Sequence, residues 1–258
     1  MISSRLVRTQ LANCEIDYPD VGVFMRRQRS HFCSWLAAAT PVRRRVALVA
    51  IALFLSCCTS HSSPATGDRP VKIVVLGDSI ASGFGLLFSL AFPERLEQVL
   101  REQGFAVTIA NAGVGGDTVA DGLRRLDSSV PEGTDAVIIE LGPNDAEQGI
   151  DPNVTRSGLA AILQRMKERH VQVLLTGMRG FASAGEAYVG AFAAIYPWLA
   201  AHYSFVWYPF ILEGVAGNPA LYQVDGEHPN AEGVNVIVRN MLPGVEDLIA
   251  RVYAARRR

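Results

Sequence analysis

Between Val71 and Tyr208 the chain carries five short, nearly unbroken apolar runs, each separated from the next by a stretch of helical periodicity. The runs are Val71 to Leu76, Ala106 to Ala110, Ala136 to Leu141, Val171 to Thr176 and Phe205 to Tyr208. Runs this short and rich in β-branched residues read as strands buried on both faces, because a strand wetted on one side would alternate. Helices are predicted at Pro93 to Glu102, Thr118 to Leu126, Asn153 to Arg169, Glu186 to His202 and Ala231 to Ala254. Local signals agree. Pro93 sits in a first turn, Gly104 stops the same segment, and Thr118 with Asp121 resembles a capping box. Strands alternating with helices demand parallel crossovers, so the expected fold is α/β: a doubly wound, flavodoxin-like three-layer α/β/α sandwich around a five-stranded parallel sheet.

The first 69 residues have a different character. They hold nine arginines against four carboxylates, and all four cysteines, at 14, 33, 57 and 58. The remainder has 15 basic and 21 acidic side chains and no thiol. An acidic body argues against a nucleic-acid partner, and the missing thiols exclude a cysteine nucleophile or thiolate-held zinc there. Arg43-Arg44-Arg45 precedes an apolar stretch, Val46 to Leu55, followed by small residues. That is the pattern of a secretory signal, too short to span a bilayer comfortably. The expected organisation is an N-terminal extension over 1–41, a signal over 42–60, a Ser/Pro/Gly linker over 61–69 and one domain over 70–258. A start at Met25 or later would remove most of the extension. Export to the periplasm or beyond follows, with no membrane span after processing. Lipid attachment at Cys57 or Cys58 is the alternative, although Phe54-Leu55-Ser56 is a poor lead-in to a lipidated cysteine.

Open parallel sheets bind ligands beyond the carboxyl ends of their strands, near the reversal of strand order. Four blocks fall there: Gly77-Asp78-Ser79-Ile80, the Asn111 to Thr118 turn containing Gly115-Gly116, Gly142-Pro143-Asn144-Asp145, and Asp225-Gly226-Glu227-His228. Each supplies a residue type that acyl transfer needs. Ser79 suits a nucleophile, His228 a base, and Asp225 the group that orients the base. Gly116 and Asn144 suit donors for a developing oxyanion.

On these residues the chain resembles the SGNH (GDSL) hydrolases, and among them it is similar to the periplasmic thioesterase I/lysophospholipase/arylesterase group. The likeness spans residues 71–250 and takes in Phe192-Ala-Ala-Ile-Tyr-Pro197 and Tyr208-Pro209-Phe210. The resemblance implies that Ser79, Asp225 and His228 are the catalytic set. It also implies an oxyanion hole formed by the N–H groups of Ser79 and Gly116 with the Asn144 amide. Two departures stand out. Pro143 replaces the glycine usual before the asparagine, and the loop Arg179 to Gly185, expected to border the acyl site, diverges.

The expected activity is hydrolysis of a small acyl ester or thioester through an acyl-enzyme. The alternatives are a carbohydrate acetylesterase on the same fold and a non-catalytic periplasmic binding module. No cofactor or metal is implied, since neither ligand spacing nor a glycine-rich phosphate loop is present. His170 and His202 fall at predicted helix C-termini, where an imidazole complements the helix dipole. Asp117 and Asp145 are expected to cap and brace turns, and Glu227 to be solvated.

Overall fold

The computed structural model describes residues 69–258. The expectations for the 1–41 extension, the 42–60 signal with Cys57 and Cys58, and the linker up to residue 68 lie outside the described residues. The sheet is built from β1 (Val71–Gly77), β2 (Val107–Gly113), β3 (Ala136–Glu140), β4 (Gln172–Thr176) and β5 (Val206–Tyr208). Its order is β2-β1-β3-β4-β5, and every pairing is parallel. The expected five-stranded α/β sandwich is therefore the fold.

Burial explains the unbroken apolar runs. Ile73 and Val75 point to one face of β1 and Val74 and Leu76 to the other, and all four are buried. The helices are α1 (Ser79–Ser82), α2 (Phe92–Glu102), α3 (Val119–Arg124), α4 (Leu126–Ser129), α5 (Pro143–Glu147), α6 (Pro152–Glu168), α7 (Glu186–Ala193), α8 (Ile195–His202) and α9 (Ala231–Arg256). One layer is α2 on β2 together with α9, which crosses β3, β4 and β5. The other contains α6 over β4, flanked by α3 and α8. The chain steps from β1 out to β2 and then back across β1 to β3. That reversal opens a crevice at the carboxyl ends of β1 and β3.

Several boundaries differ from expectation for identifiable reasons. β2 runs three residues further, through Asn111, Ala112 and Gly113, because β1 offers Val75, Leu76 and Gly77 as partners at that level. The long helix expected over Glu186 to His202 breaks at Ala194. Pro197 causes it, since its ring cannot share a helical turn with the carbonyl four residues earlier. The helix expected over Thr118 to Leu126 also divides, at Arg125. The strand-end blocks around Ser79 and Asn144 form the short helices α1 and α5.

Candidate active site

The sheet register places the three strand ends side by side, with Gly77 opposite both Gly113 and Glu140. Asp78 follows Gly77 and caps α1, its Oδ1 accepting the Ile80 N–H at 3.1 Å. The turn closes directly over the sheet. A Cβ on Gly77 would lie 2.5 Å from the Ala81 Cβ and 2.8 Å from the Glu140 carbonyl oxygen, so only glycine fits. Ser79 thus becomes the first residue of a helix mounted on the strand end, half-buried above a rigid base.

The second block passes over it. A Cβ on Gly115 would stand 3.9 Å from that of Ser79, and Gly116 adopts φ +84° in an exposed turn. Among the described residues no acceptor takes the N–H of Ser79 or of Gly116. Both are unspent donors.

The third block rises from β3. Gly142 has φ +126°, and a Cβ there would meet the Tyr196 hydroxyl at 2.4 Å. Pro143 then occupies the first turn of α5, a position that needs no N–H. Asn144 follows with its amide engaged twice: Nδ2 donates to Asp78 Oδ2 at 3.1 Å and to the Asp117 carbonyl at 3.0 Å. The amide is therefore oriented by the protein.

The fourth block is a loop pinched shut by the Tyr222–Pro229 bridge, with Gln223 N–H donating to the His228 carbonyl at 2.8 Å. Inside it Asp225 Oδ1 accepts the N–H groups of Glu227 at 2.9 Å and His228 at 3.1 Å. Its Oδ2 lies 3.0 Å from His228 Nδ1. The three-residue spacing matters because one carboxylate both folds the loop and holds the ring. These hydrogen bonds bring the Asp225 carboxyl down to about 2. A carboxylate at Nδ1 assigns the ring proton to that nitrogen and leaves Nε2 as an acceptor. The imidazole packs on Phe84, ring centroids 4.6 Å apart, and Gln223 Nε2 ties the Phe84 carbonyl to this loop at 2.7 Å.

Ser79, Asn144 and His228 line one cavity of about 650 Å³. Ile80, Met178, Phe181 and Leu212 supply apolar wall, and Glu147 and Glu227 its charged groups. Gly116 and Asp225 are not among the cavity's lining residues. Among the hydrogen bonds of the described residues none joins Ser79 directly to His228. Such bonds commonly tighten only with substrate in place.

Two residues that sequence reasoning passed over hold this assembly. Arg125 donates to the carbonyls of Gly77 at 2.8 Å and Ala112 at 2.7 Å and pairs with Asp117. It thereby links the ends of β1 and β2 to the Gly116 turn. Glu140, 1% exposed, lies against Asp78, 0% exposed, and accepts the Asp78 N–H at 3.2 Å. Burial raises both carboxyls: Asp78 to about 6, and Glu140 well above the usual carboxylate range, where the Asp78 charge adds to it. The signal for Glu140 was an acidic residue within an otherwise apolar strand; for Arg125 there was none.

The remaining candidates do what was expected of them. Asp145 accepts the Val119 N–H at 2.8 Å and the Thr155 hydroxyl at 3.0 Å. His202 ends α8 with Nδ1 2.7 Å from the Trp198 carbonyl, and His170 follows α6. Glu227 is exposed.

The chain is similar to known proteins. The profile of the GDSL-like lipase/acylhydrolase family matches residues 75–236. An arylesterase of Vibrio mimicus is 36% identical over 183 residues, 70% of this chain and 90% of that protein. Thioesterase 1/protease 1/lysophospholipase L1 of Escherichia coli K12 is 34% identical over 198 residues, covering 76% and 91% respectively. The crystal structure of AlinE4, an SGNH-hydrolase family esterase, superposes with a TM-score of 0.59 at 39% identity, over 71% of this chain and 98% of that one. A match of this extent, over a sheet whose order and strand-end blocks agree with it, places the chain in the GDSL-like lipase/acylhydrolase family.

Proposed function

We propose that residues 70–258 form a metal-independent serine esterase, with Ser79 as nucleophile, His228 as base and Asp225 as the group that orients it. The observation that carries this reading is the Asp225–His228 pair at 3.0 Å, with His228 and Ser79 on one cavity at the sheet's switch point. Ser79 Oγ attacks the ester carbonyl carbon while its proton passes to His228 Nε2. The carbonyl electron pair becomes an oxyanion, met by the N–H groups of Ser79 and Gly116 and by Asn144. Collapse breaks the bond to the alcohol or thiol, which takes the proton from His228. Water then repeats the sequence on the acyl-enzyme, and the carboxylic acid leaves with Ser79 restored.

The substrate that suits the cavity is a neutral ester with a modest acyl chain. Ile80, Met178, Phe181 and Leu212 favour an apolar acyl group. Glu147 and Glu227 repel a polyanionic leaving group such as coenzyme A, by an amount that salt reduces. The signal pattern over 42–60, three arginines leading an apolar stretch, supports an exported protein, and among the described residues no helix is long and apolar enough to cross a membrane.

Hydrolysis of p-nitrophenyl esters from C2 to C16, acyl-coenzyme A thioesters and acetylated sugars tests the reading. Neutral esters should give the highest kcat/KM, and added salt should narrow the gap to the thioesters. Turnover confined to acetylated sugars would replace the substrate class. No turnover of any ester would remove the function.

A further inference from the structure

The two carboxyls beneath the site have no role in the chemistry just described. Asp78 and Glu140 are both essentially inaccessible, at 0% and 1% exposure, and Glu140 Oε2 accepts the Asp78 N–H at 3.2 Å, which holds the two carboxyls together. Two carboxyls held side by side in a dry interior cannot both be ionised; one of them must carry a proton. The bonding pattern says which. Asp78 accepts from the Ile80 N–H through Oδ1 and from the Asn144 amide through Oδ2, so its oxygens already face donors. Glu140 accepts the Asp78 N–H at Oε2, whereas its Oε1 is buried and meets no donor. An orphaned carboxylate oxygen in a dry interior is costly, and a proton relieves that cost.

We propose that Glu140 is a positioning residue for the oxyanion hole: as a neutral acid it donates its O–H to the Asp78 carboxylate, and Asp78 in turn fixes the Asn144 amide. This rests on the reading that Asn144 serves the oxyanion. The arrangement limits the pair to one negative charge. A second charge beneath the site would oppose the oxyanion at the moment it forms and would leave Asp78 without the donor that holds it in place. The other ionisable groups facing the pair are Tyr196 from α8, whose hydroxyl donates to the Leu141 carbonyl at 3.2 Å, and His228, whose charge acts on Asp78. Arg125 approaches from the α3–α4 junction but spends its donors on Gly77, Ala112, Asp117 and Ser129. None of these supplies a donor to Glu140 Oε1.

The test combines a direct reading of the proton with kinetics on the full chain. Infrared difference spectra of wild type against Glu140→Gln at neutral pH should show a protonated carboxyl C=O band that the variant lacks. Glutamine keeps a neutral donor, so Glu140→Gln should hold kcat within about threefold of wild type. Glu140→Met keeps the bulk and removes the donor. Its kcat per folded molecule should fall by about tenfold to 10²-fold, with KM little changed, within what loss of a whole oxyanion donor costs. If Glu140→Met does not fold, the infrared band and the glutamine variant decide alone. Absence of the band, or a glutamine variant as slow as the methionine one, would overturn the proposal. So would unchanged kcat in both with lower melting temperatures. Fluorophosphonate labelling of wild-type Ser79 in the same preparation separates the causes. Labelled protein without the band or the kinetic contrast refutes the Glu140 role only, and unlabelled protein refutes the esterase reading and this role together.

Discussion

Replacing Asp225 by asparagine exchanges one oxygen for an NH₂ group and should cost almost all of the activity, because the loop dictates which way the new amide points. Asp225 Oδ1 accepts two backbone N–H groups, at 2.9 and 3.1 Å, and Oδ2 accepts from His228 Nδ1 at 3.0 Å. Asparagine has one acceptor oxygen. Turning its NH₂ toward the two backbone donors would leave both unpaired in a pinched loop and set three donors against one another. The oxygen therefore keeps the backbone pair and the NH₂ faces Nδ1. A donor opposite Nδ1 forces the ring proton onto Nε2, the nitrogen that must accept the Ser79 proton. Loss of the correct tautomer in an otherwise intact triad lowers kcat by about 10⁴-fold, roughly 5 kcal/mol of barrier. The backbone bonds survive, so the melting temperature should stay close to that of wild type. The assay is kcat and KM on the best neutral ester with a thermal melt of the same sample. An Asp225→Asn enzyme with wild-type kcat would refute the assignment of Asp225 as the orienting group.

Other perturbations separate chemistry from scaffolding. Asn144→Ala should lower kcat by about 10²–10³-fold with KM little changed. It should also lose stability, because Asp78 and the Asp117 carbonyl lose their donor, so activity must be compared per folded molecule; normal kcat in the folded fraction would remove Asn144 from the site. Arg125→Met leaves the carbonyls of Gly77 and Ala112 and the Asp117 carboxylate without a shared donor, and should cost roughly 2–4 kcal/mol in urea unfolding while loosening the Gly116 turn; wild-type stability would show the contacts to be incidental. Stability should also fall as pH rises. Native Asp78 and Glu140 hold protons that the unfolded chain has released, so the Asp78 contribution is complete below its unfolded value of 3.8 and is lost as pH climbs through about 6, while Glu140, raised further, goes on lowering stability above that. Unfolding free energies between pH 4 and 8 should decline more steeply in wild type than in Glu140→Gln, and parallel slopes would contradict the buried pair.

How much of this could be read from residues alone depends on whether a residue acts through its neighbours in sequence or in space. The strands were visible because burial on both faces leaves continuous apolar runs, and the capping box at Thr118 and Asp121 was visible because both partners are local. Asp225 and His228 were legible for the same reason: the carboxylate folds the very loop that carries the imidazole. The break at Ala194 was also written in the chain, at Pro197, but strong helical periodicity on both sides masked it. Arg125 left no trace, since an arginine near a helix end is ordinary and only the assembled sheet brings Gly77 and Ala112 within its reach. Glu140 left a faint one. An acidic residue in a strand buried on both faces is rarely tolerated without a partner, yet which partner, and which proton, depends on the parallel register that sets it opposite Gly77. The double engagement of the Asn144 amide was likewise unreadable, because its acceptors come from the ends of two other strands.

The central claim is that Ser79 is a nucleophile activated by His228, and a fluorophosphonate probe tests it most directly. The probe needs no knowledge of the natural ester. It forms a stable bond only to a serine whose proton can be taken, with loss of fluoride. Incubation of the folded chain followed by peptide mass spectrometry should find one phosphonyl group, on the peptide containing Ser79. The adduct should be absent from Ser79→Ala and nearly absent from His228→Ala. A wild-type protein left unlabelled, or labelled on a serine other than Ser79, would contradict the account.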